Sequence, residues 1–75
     1  MKRFKIILEN INGDDDGFLL LAKNRDEANE VAKKNLATII QNTGDKTYAC
    51  SVVEFKDGEG PSELSSQFMQ SDEIE

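Results

Sequence analysis

Hydrophobic and polar residues alternate along the first positions of the chain. Between Arg3 and Glu9, the residues Phe4, Ile6 and Leu8 fall on one side of an extended backbone. A period of two predicts a β-strand with one strongly apolar face. A second run, Phe18–Ala22, is apolar throughout and follows a stretch with Asn-Gly and Asp-Gly turn dipeptides. The two runs together predict a β-hairpin.

The pattern changes to a helical period after the second strand. Asn24 is followed three positions later by Glu27, which matches a capping box at a helix N-terminus. Apolar residues then recur at steps of three and four, as expected for an amphipathic helix. This stripe consists of Ala28, Val31, Ala32, Leu36, Ile39 and Ile40. Gly44 is typical of the residue that ends such a helix.

The element order predicts the topology of a small sheet. Thr47–Phe55 is rich in β-branched and aromatic residues and predicts a third strand. A right-handed crossover through the helix makes this strand parallel to the second. Placing it beside the first strand gives a three-stranded antiparallel sheet of order 2-1-3. We therefore predict an α+β domain over residues 1–56, β-β-α-β in order, with the helix on one face.

Charge divides the chain into two parts. Residues 1–56 hold nine basic and nine acidic residues, whereas residues 57–75 hold six acidic residues and no Lys or Arg. The net charge of −6 therefore lies in the last 19 residues. Two glycines and Pro61 open this segment, and polar residues dominate it, so it predicts a flexible, disordered acidic tail. A short helix after Pro61, with Leu64 and Phe68 on one face, is the alternative.

The sheet face opposite the helix is expected to be apolar. If Phe4 and its neighbours face the helix, Ile7, Leu19 and Leu21 point the other way. The third strand adds one of two sets, according to its register: Ala49, Ser51, Val53 and Phe55, or Tyr48, Cys50 and Val52. A sheet covered on one side usually has a polar second face, so this patch indicates a protein contact surface. Either a partner or second copy covers it, or the tail folds back and covers it with Leu64, Phe68 and Met69.

Candidate catalytic and metal-binding residues are few. The chain has no His and a single cysteine, Cys50, so neither a Ser-His-Asp set nor an activated Cys-His pair can form. The stretch from Asn12 to Gly17 resembles the start of a calcium loop, but Lys23 stands where the bidentate Glu is needed. We expect no enzyme, no cofactor and no metal site.

Composition also bears on partners and compartment. An acidic chain disfavours direct nucleic-acid binding. A lone thiol fits a reducing compartment, the N-terminal apolar run is too short for a signal peptide, and no stretch approaches a membrane span. The expectation is a cytoplasmic protein that does not bind membranes.

A resemblance suggests what such a protein binds. The stretch from Phe18 to Lys34 has a strand ending in Ala22 and a capped helix with Glu27-Ala28-x-x-x-Ala32, and the strand Tyr48–Phe55 follows. This arrangement resembles small phage-encoded inhibitors of host machinery, among them anti-CRISPR proteins and a phage inhibitor of bacterial RNA polymerase. The resemblance covers Ala22–Ala32 and the element order of residues 1–56. It implies a stoichiometric inhibitor of a large host complex.

The sequence therefore predicts a non-enzymatic phage or mobile-element protein that binds and inhibits a host protein or ribonucleoprotein complex. A CRISPR effector, or another nucleic-acid-handling machine, is the first choice. The alternative is a self-associating structural or accessory protein, for example a homodimer. Carboxylates would steer association and apolar residues would anchor it. The predicted partner-binding residues are Asp14, Asp15, Asp16, Leu19, Leu21, Glu63 and Phe68.

Overall fold

The computed structural model describes residues 1–62 and 67–70. In chain order, the elements are β1 (Lys2–Glu9), β2 (Phe18–Ala22), α1 (Arg25–Thr43), β3 (Ala49–Glu54) and β4 (Phe68–Gln70). The strands form a four-stranded mixed sheet of order β3-β1-β2-β4. β1 pairs antiparallel with β2 and β3, whereas β4 pairs parallel with β2. Within these described residues, the fold is a small α+β fold with one helix against the sheet.

The predicted order of the first three strands is confirmed, with β1 between β2 and β3. The register places Lys5 opposite Leu19 of β2 and opposite Val53 of β3. Since directly paired residues share a sheet face, these three side chains lie on the same side.

The predicted three-stranded antiparallel sheet is one strand short. β4 extends the sheet beyond β2, with Phe68 paired to Leu19, and its parallel orientation makes the sheet mixed. The strand falls within residues 57–75, the segment predicted to be a disordered tail. Leu64, which the alternative helix after Pro61 would have used, lies outside the described residues.

The core lies between the sheet and the helix. Its buried members come from β1, β2 and the first half of α1: Phe4, Ile6, Leu8, Leu20, Ala22, Ala28, Val31 and Ala32. Cys50 and Val52 pack against this cluster from β3. This settles the register left open by the sequence, because Ala49, Ser51 and Val53 must then point to the opposite face.

Both helix ends use the predicted residues. The Asn24 side chain accepts a hydrogen bond from the Glu27 backbone N–H at 2.9 Å, and the Glu27 carboxylate accepts one from the Lys23 N–H at 3.2 Å. Gly44 adopts φ 73° and donates its N–H to the Ile40 carbonyl at 2.8 Å. These bonds satisfy backbone groups that a helix terminus leaves unpaired. Within the described residues, no helix has the length and apolarity needed to span a bilayer.

Candidate protein-interaction surfaces

Two loops meet at one end of the sheet and concentrate negative charge there. The first connects β1 to β2, and the second connects α1 to β3. We call this region the acidic end, defined by residues 9–16 and 44–48. Its carboxylates are Glu9, Asp14, Asp15, Asp16 and Asp45, and its basic residue is Lys46.

Asn10 organises the acidic end. Its side-chain oxygen accepts the backbone N–H groups of Asn12 and Asp14, at 3.1 and 2.8 Å. Its amide nitrogen donates to the Asp14 carboxylate at 3.0 Å and to the Asp45 carboxylate at 2.9 Å. Because one side-chain amide both donates and accepts, Asn10 can fix the turn of residues 10–14 and hold the Asp14 and Asp45 carboxylates close to it.

The three predicted aspartates are exposed, and each also has a structural bond. Asp14 bonds Asn10 as above, Asp15 accepts the Gly17 N–H at 2.8 Å, and Asp16 accepts the Tyr48 hydroxyl at 3.1 Å. Gly17 is required next to them, since a Cβ there would lie 2.2 Å from the Ile6 carbonyl oxygen. The structure therefore brings Asp14–Asp16 together on an ordered loop.

Two members of the acidic end were missed by the sequence analysis. Asp45 follows the helix and closes a turn with Thr47, whose N–H donates to its carboxylate at 2.8 Å. The sequence does contain a turn signal here: Asp45 follows Gly44, which ends the helix, and stands two residues before Thr47. Ile11 is 80% exposed beside these carboxylates, and its N–H donates to the Thr47 hydroxyl at 3.2 Å. For Ile11, the signal available in the sequence was its position as an isolated apolar residue within a polar turn.

Two residues of the acidic end, Asp45 and Tyr48, have shifted pKa values. The pKa of Asp45 is lowered from its ordinary value, first by the hydroxyl of Thr47 and then by the Thr47 N–H, with a smaller contribution from Asn10. The pKa of Tyr48 is raised, first by burial and then by its bond to Asp16 and the nearby carboxylates. At neutral pH, Asp45 is therefore an anion and Tyr48 a neutral donor.

The predicted apolar anchors occupy different environments. Leu19 is half-buried, but Leu21 is only 5% exposed and Phe68 only 8% exposed. The expectation that Leu21 is an exposed anchor is wrong, because residues after β3 fold back over its side of the sheet. The predicted binding role of these residues stays a prediction, and Glu63 lies outside the described residues.

Arg3 holds the returning chain in place. Its guanidinium donates to the carbonyl oxygens of Lys56 at 2.7 Å, of Pro61 at 2.8 Å and of Glu59. Its Cζ also lies 5.9 Å from the centroid of the Phe55 ring, within the range of a cation–π contact. Of the tail residues predicted to cover this face, Phe68 is buried on it and Leu64 lies outside the described residues. The prediction for Met69 is wrong, because Met69 pairs with Leu20 and therefore lies on the helix side of the sheet, where it is 41% exposed.

The other half of this sheet face carries exposed and half-buried side chains. We call it the open face, defined by Lys5, Ile7, Glu9, Leu19, Ala49, Ser51 and Val53. Ile7 and Leu19 are half-buried, and Val53 is 46% exposed. The apolar second face predicted from the sequence therefore exists in part.

Residues suited to chemistry are sparse in the described part of the chain. No group of three His, Cys, Asp or Glu side chains is arranged there to hold a metal ion. Cys50 is a half-buried free thiol in β3. A shallow depression open to solvent is lined by Arg3, Asp57, Gly58, Gly60 and Ser62.

Comparison with protein-family models, with curated proteins and with solved structures finds no match to this chain.

Proposed function

We propose that this protein is a non-enzymatic inhibitor that binds a host nucleic-acid-handling complex by inserting its acidic end into a basic groove. The observation that carries the proposal is the position of Ile11. This side chain is 80% exposed at the tip of a loop whose neighbours include Asp14, Asp15 and Asp16. An apolar anchor surrounded by charge is a common arrangement at protein interfaces.

The two parts of this surface have different tasks. Carboxylates of one sign attract a basic groove from a distance and mainly raise the association rate. The apolar side chain of Ile11 acts only at contact, so it mainly slows dissociation. The bonds from Asn10 hold the loop in one shape before binding, which lowers the entropic cost of ordering it.

The resemblance to small phage inhibitors makes a CRISPR effector the first complex to test. Grooves that hold nucleic-acid backbones are lined with Lys and Arg, so an acidic protein can compete for them. Inhibition would then follow from occupancy of the groove, and the inhibitor would need no catalytic group.

The first experiment separates local charge from total charge. In D14N/D15N/D16N, each amide keeps an oxygen acceptor for the loop bonds while three negative charges are lost. The matched control, D26N/E30Q/D57N, removes three exposed charges elsewhere. Both variants and the wild type are used to capture complexes from bacterial lysate, and association with the captured complex is then timed at low and high salt.

We expect the loop variant to associate at least tenfold more slowly at low salt and to show a weaker salt dependence than the control. Added DNA or RNA should displace the wild-type protein from the complex. Equal association rates for the two variants, or a complex that nucleic acid does not displace, would overturn the proposal.

The anchor is tested separately with Ile11→Ala. We expect faster dissociation with a nearly unchanged association rate. The matched control is Met69→Ala, which truncates another exposed apolar residue outside both the acidic end and the sheet face opposite the helix. If Ile11→Ala dissociates no faster than Met69→Ala, Ile11 is not the anchor.

A further inference from the structure

Lys5, Ile7 and Glu9 form a symmetric charge pattern on the open face. They point to the same side of β1, with Ile7 in the middle and the two charges two residues away on either side. At the usual rise of a strand, Lys5 and Glu9 are about 13 Å apart. Both are exposed, and neither forms an ion pair with another described residue.

The neighbouring strands reinforce this pattern. Val53 of β3 and Leu19 of β2 lie beside Lys5, so the basic half of the open face has apolar flanks. Ala49 of β3 pairs with Glu9 on one side of β1, and Asp15 pairs with Glu9 on the other side. The acidic half therefore carries two carboxylates and a small side chain.

We propose that the open face binds a second copy of this chain, with the two β1 strands antiparallel across a two-fold axis at Ile7. The axis lies in the plane between the two sheets and is perpendicular to the β1 strands. Because Lys5 and Glu9 are equally far from Ile7, this rotation places Lys5 of each copy opposite Glu9 of the other. The contact is self-complementary, as a two-fold interface requires.

Charge selects this arrangement over the other face-to-face pairing. A two-fold axis along the strand direction would place Lys5 against Lys5 and Glu9 against Glu9. Like charges brought together at an interface are unfavourable. In the antiparallel arrangement, each Lys5 also approaches Asp15 of the other copy, and Val53 meets Ala49 at a sheet-to-sheet distance of about 10 Å.

Apolar burial stabilises the same arrangement. Ile7 packs against Ile7 of the second copy at the axis, and the exposed part of Val53 loses contact with water. The open face is small, so the dimer is expected to dissociate on dilution. Since the β1 strands are antiparallel, the two acidic ends lie at opposite ends of the dimer.

Reversing the charges of Lys5 and Glu9, singly and together, tests the proposal. The full chain, Lys5→Glu and Glu9→Lys are each examined by sedimentation velocity over a range of concentrations. Each single variant places like charges at both Lys5–Glu9 contacts, so each alone is expected to be monomeric. A mixture of the two variants restores opposite charges at both contacts, with the sign reversed at one contact and unchanged at the other, so it should form a heterodimer. The double variant K5E/E9K should again form a homodimer.

The control is Lys33→Glu, which makes the same charge change on an exposed position of α1. It should dimerise as the wild type does. Rescue in the mixture also excludes misfolding as the reason that the single variants are monomeric. A wild-type chain that stays monomeric up to about 1 mM, single variants that dimerise normally, or a mixture that is not rescued would each overturn the proposal.

Discussion

The ring of Phe68 meets the ring of Phe55 edge to face, with the centroids 6.3 Å apart and the ring planes at 85°. Phe55 directly follows β3, and Phe68 begins β4, which are the two outer strands of the sheet. With two strands between them, the outer strands lie about 14 Å apart. The two rings therefore meet by reaching across β1 and β2. Together with Leu21 and Arg3, they form a second, smaller packed region on the face opposite the helix.

Truncation of Phe68 measures how much this region stabilises the fold. Phe68→Ala should lower the free energy of unfolding by about 3 kcal/mol, the lower end for a buried Phe, because the site lies at a sheet edge that can partly close. Met69→Ala is the control, since Met69 is 41% exposed in the same strand, and it should cost about 0.5 kcal/mol. Urea unfolding followed by circular dichroism gives both values. Equal stability of the two variants would mean that β4 does not pack as described.

The same region shows where sequence patterns stop being informative. β1, β2 and α1 were predicted because periodicity and capping residues are local signals, and the buried faces of Phe4 and Ala28 follow directly from them. β4 is three residues long in a polar segment, and no periodicity can be measured over so few positions. The burial of Phe68 depends on Phe55, 13 positions earlier in the chain, and on Leu19, which pairs with it across the sheet. In the acidic end, Asp14–Asp16 could be predicted, whereas Asp45 is brought to them by contacts between two loops, such as its bond with Asn10, 35 positions earlier in the chain.

Gly60 is expected to be the less replaceable of two glycines in the loop after β3. Both Gly58 and Gly60 have positive φ, 82° and 66°, so an alanine at either position costs about 1 kcal/mol of backbone strain. A Cβ at Gly60 would also lie 2.7 Å from the Phe55 ring, whereas a Cβ at Gly58 would meet no atom within 4 Å. Gly60→Ala should therefore destabilise the protein by about 1–3 kcal/mol more than Gly58→Ala. Thermal or urea unfolding of the pair isolates the ring contact, and identical losses would contradict it.

The helix N-cap gives a third prediction. Asn24→Ala removes the acceptor for the Glu27 N–H and should cost about 1 kcal/mol. Asn42→Ala, at an exposed position in the last turn of α1, is the control; it should be neutral or slightly stabilising, because Ala has the higher helix propensity. Both variants can be compared by urea unfolding. A larger loss from Asn42→Ala would show that the cap is not the stabilising feature.

Ionisation of Asp45 should make the free energy of unfolding depend on pH in the acidic range. Its pKa in the folded protein is lowered below 3.8, first by the Thr47 hydroxyl. A lowered carboxylate pKa contributes stability that is present above the unfolded-state pKa and is lost as the pH falls through the folded-state value. The wild type should therefore be more stable than Asp45→Asn at neutral pH, and the difference should shrink as the pH falls below about 4. A difference that does not shrink as the pH is lowered below about 4 would contradict the role of ionised Asp45.

Tyr48 allows an optical test of the acidic end, because it is the single tyrosine in a chain without tryptophan. Its pKa is raised above 10.0 by burial, by its bond to Asp16 and by the charges of Asp16, Asp14 and Asp45. A raised pKa means that the phenol favours folding below its unfolded-state pKa, and that this contribution is lost as the pH rises through the folded-state value. The ultraviolet absorbance of phenolate should therefore appear at higher pH in the folded protein than in urea. Asp16→Asn should lower the midpoint of this titration, since it removes a neighbouring negative charge while keeping an oxygen acceptor. Asp26→Asn, which changes the charge on α1, should leave the midpoint where it is in the wild type. A midpoint that does not respond to Asp16→Asn would show that Tyr48 does not contact the acidic loop in solution.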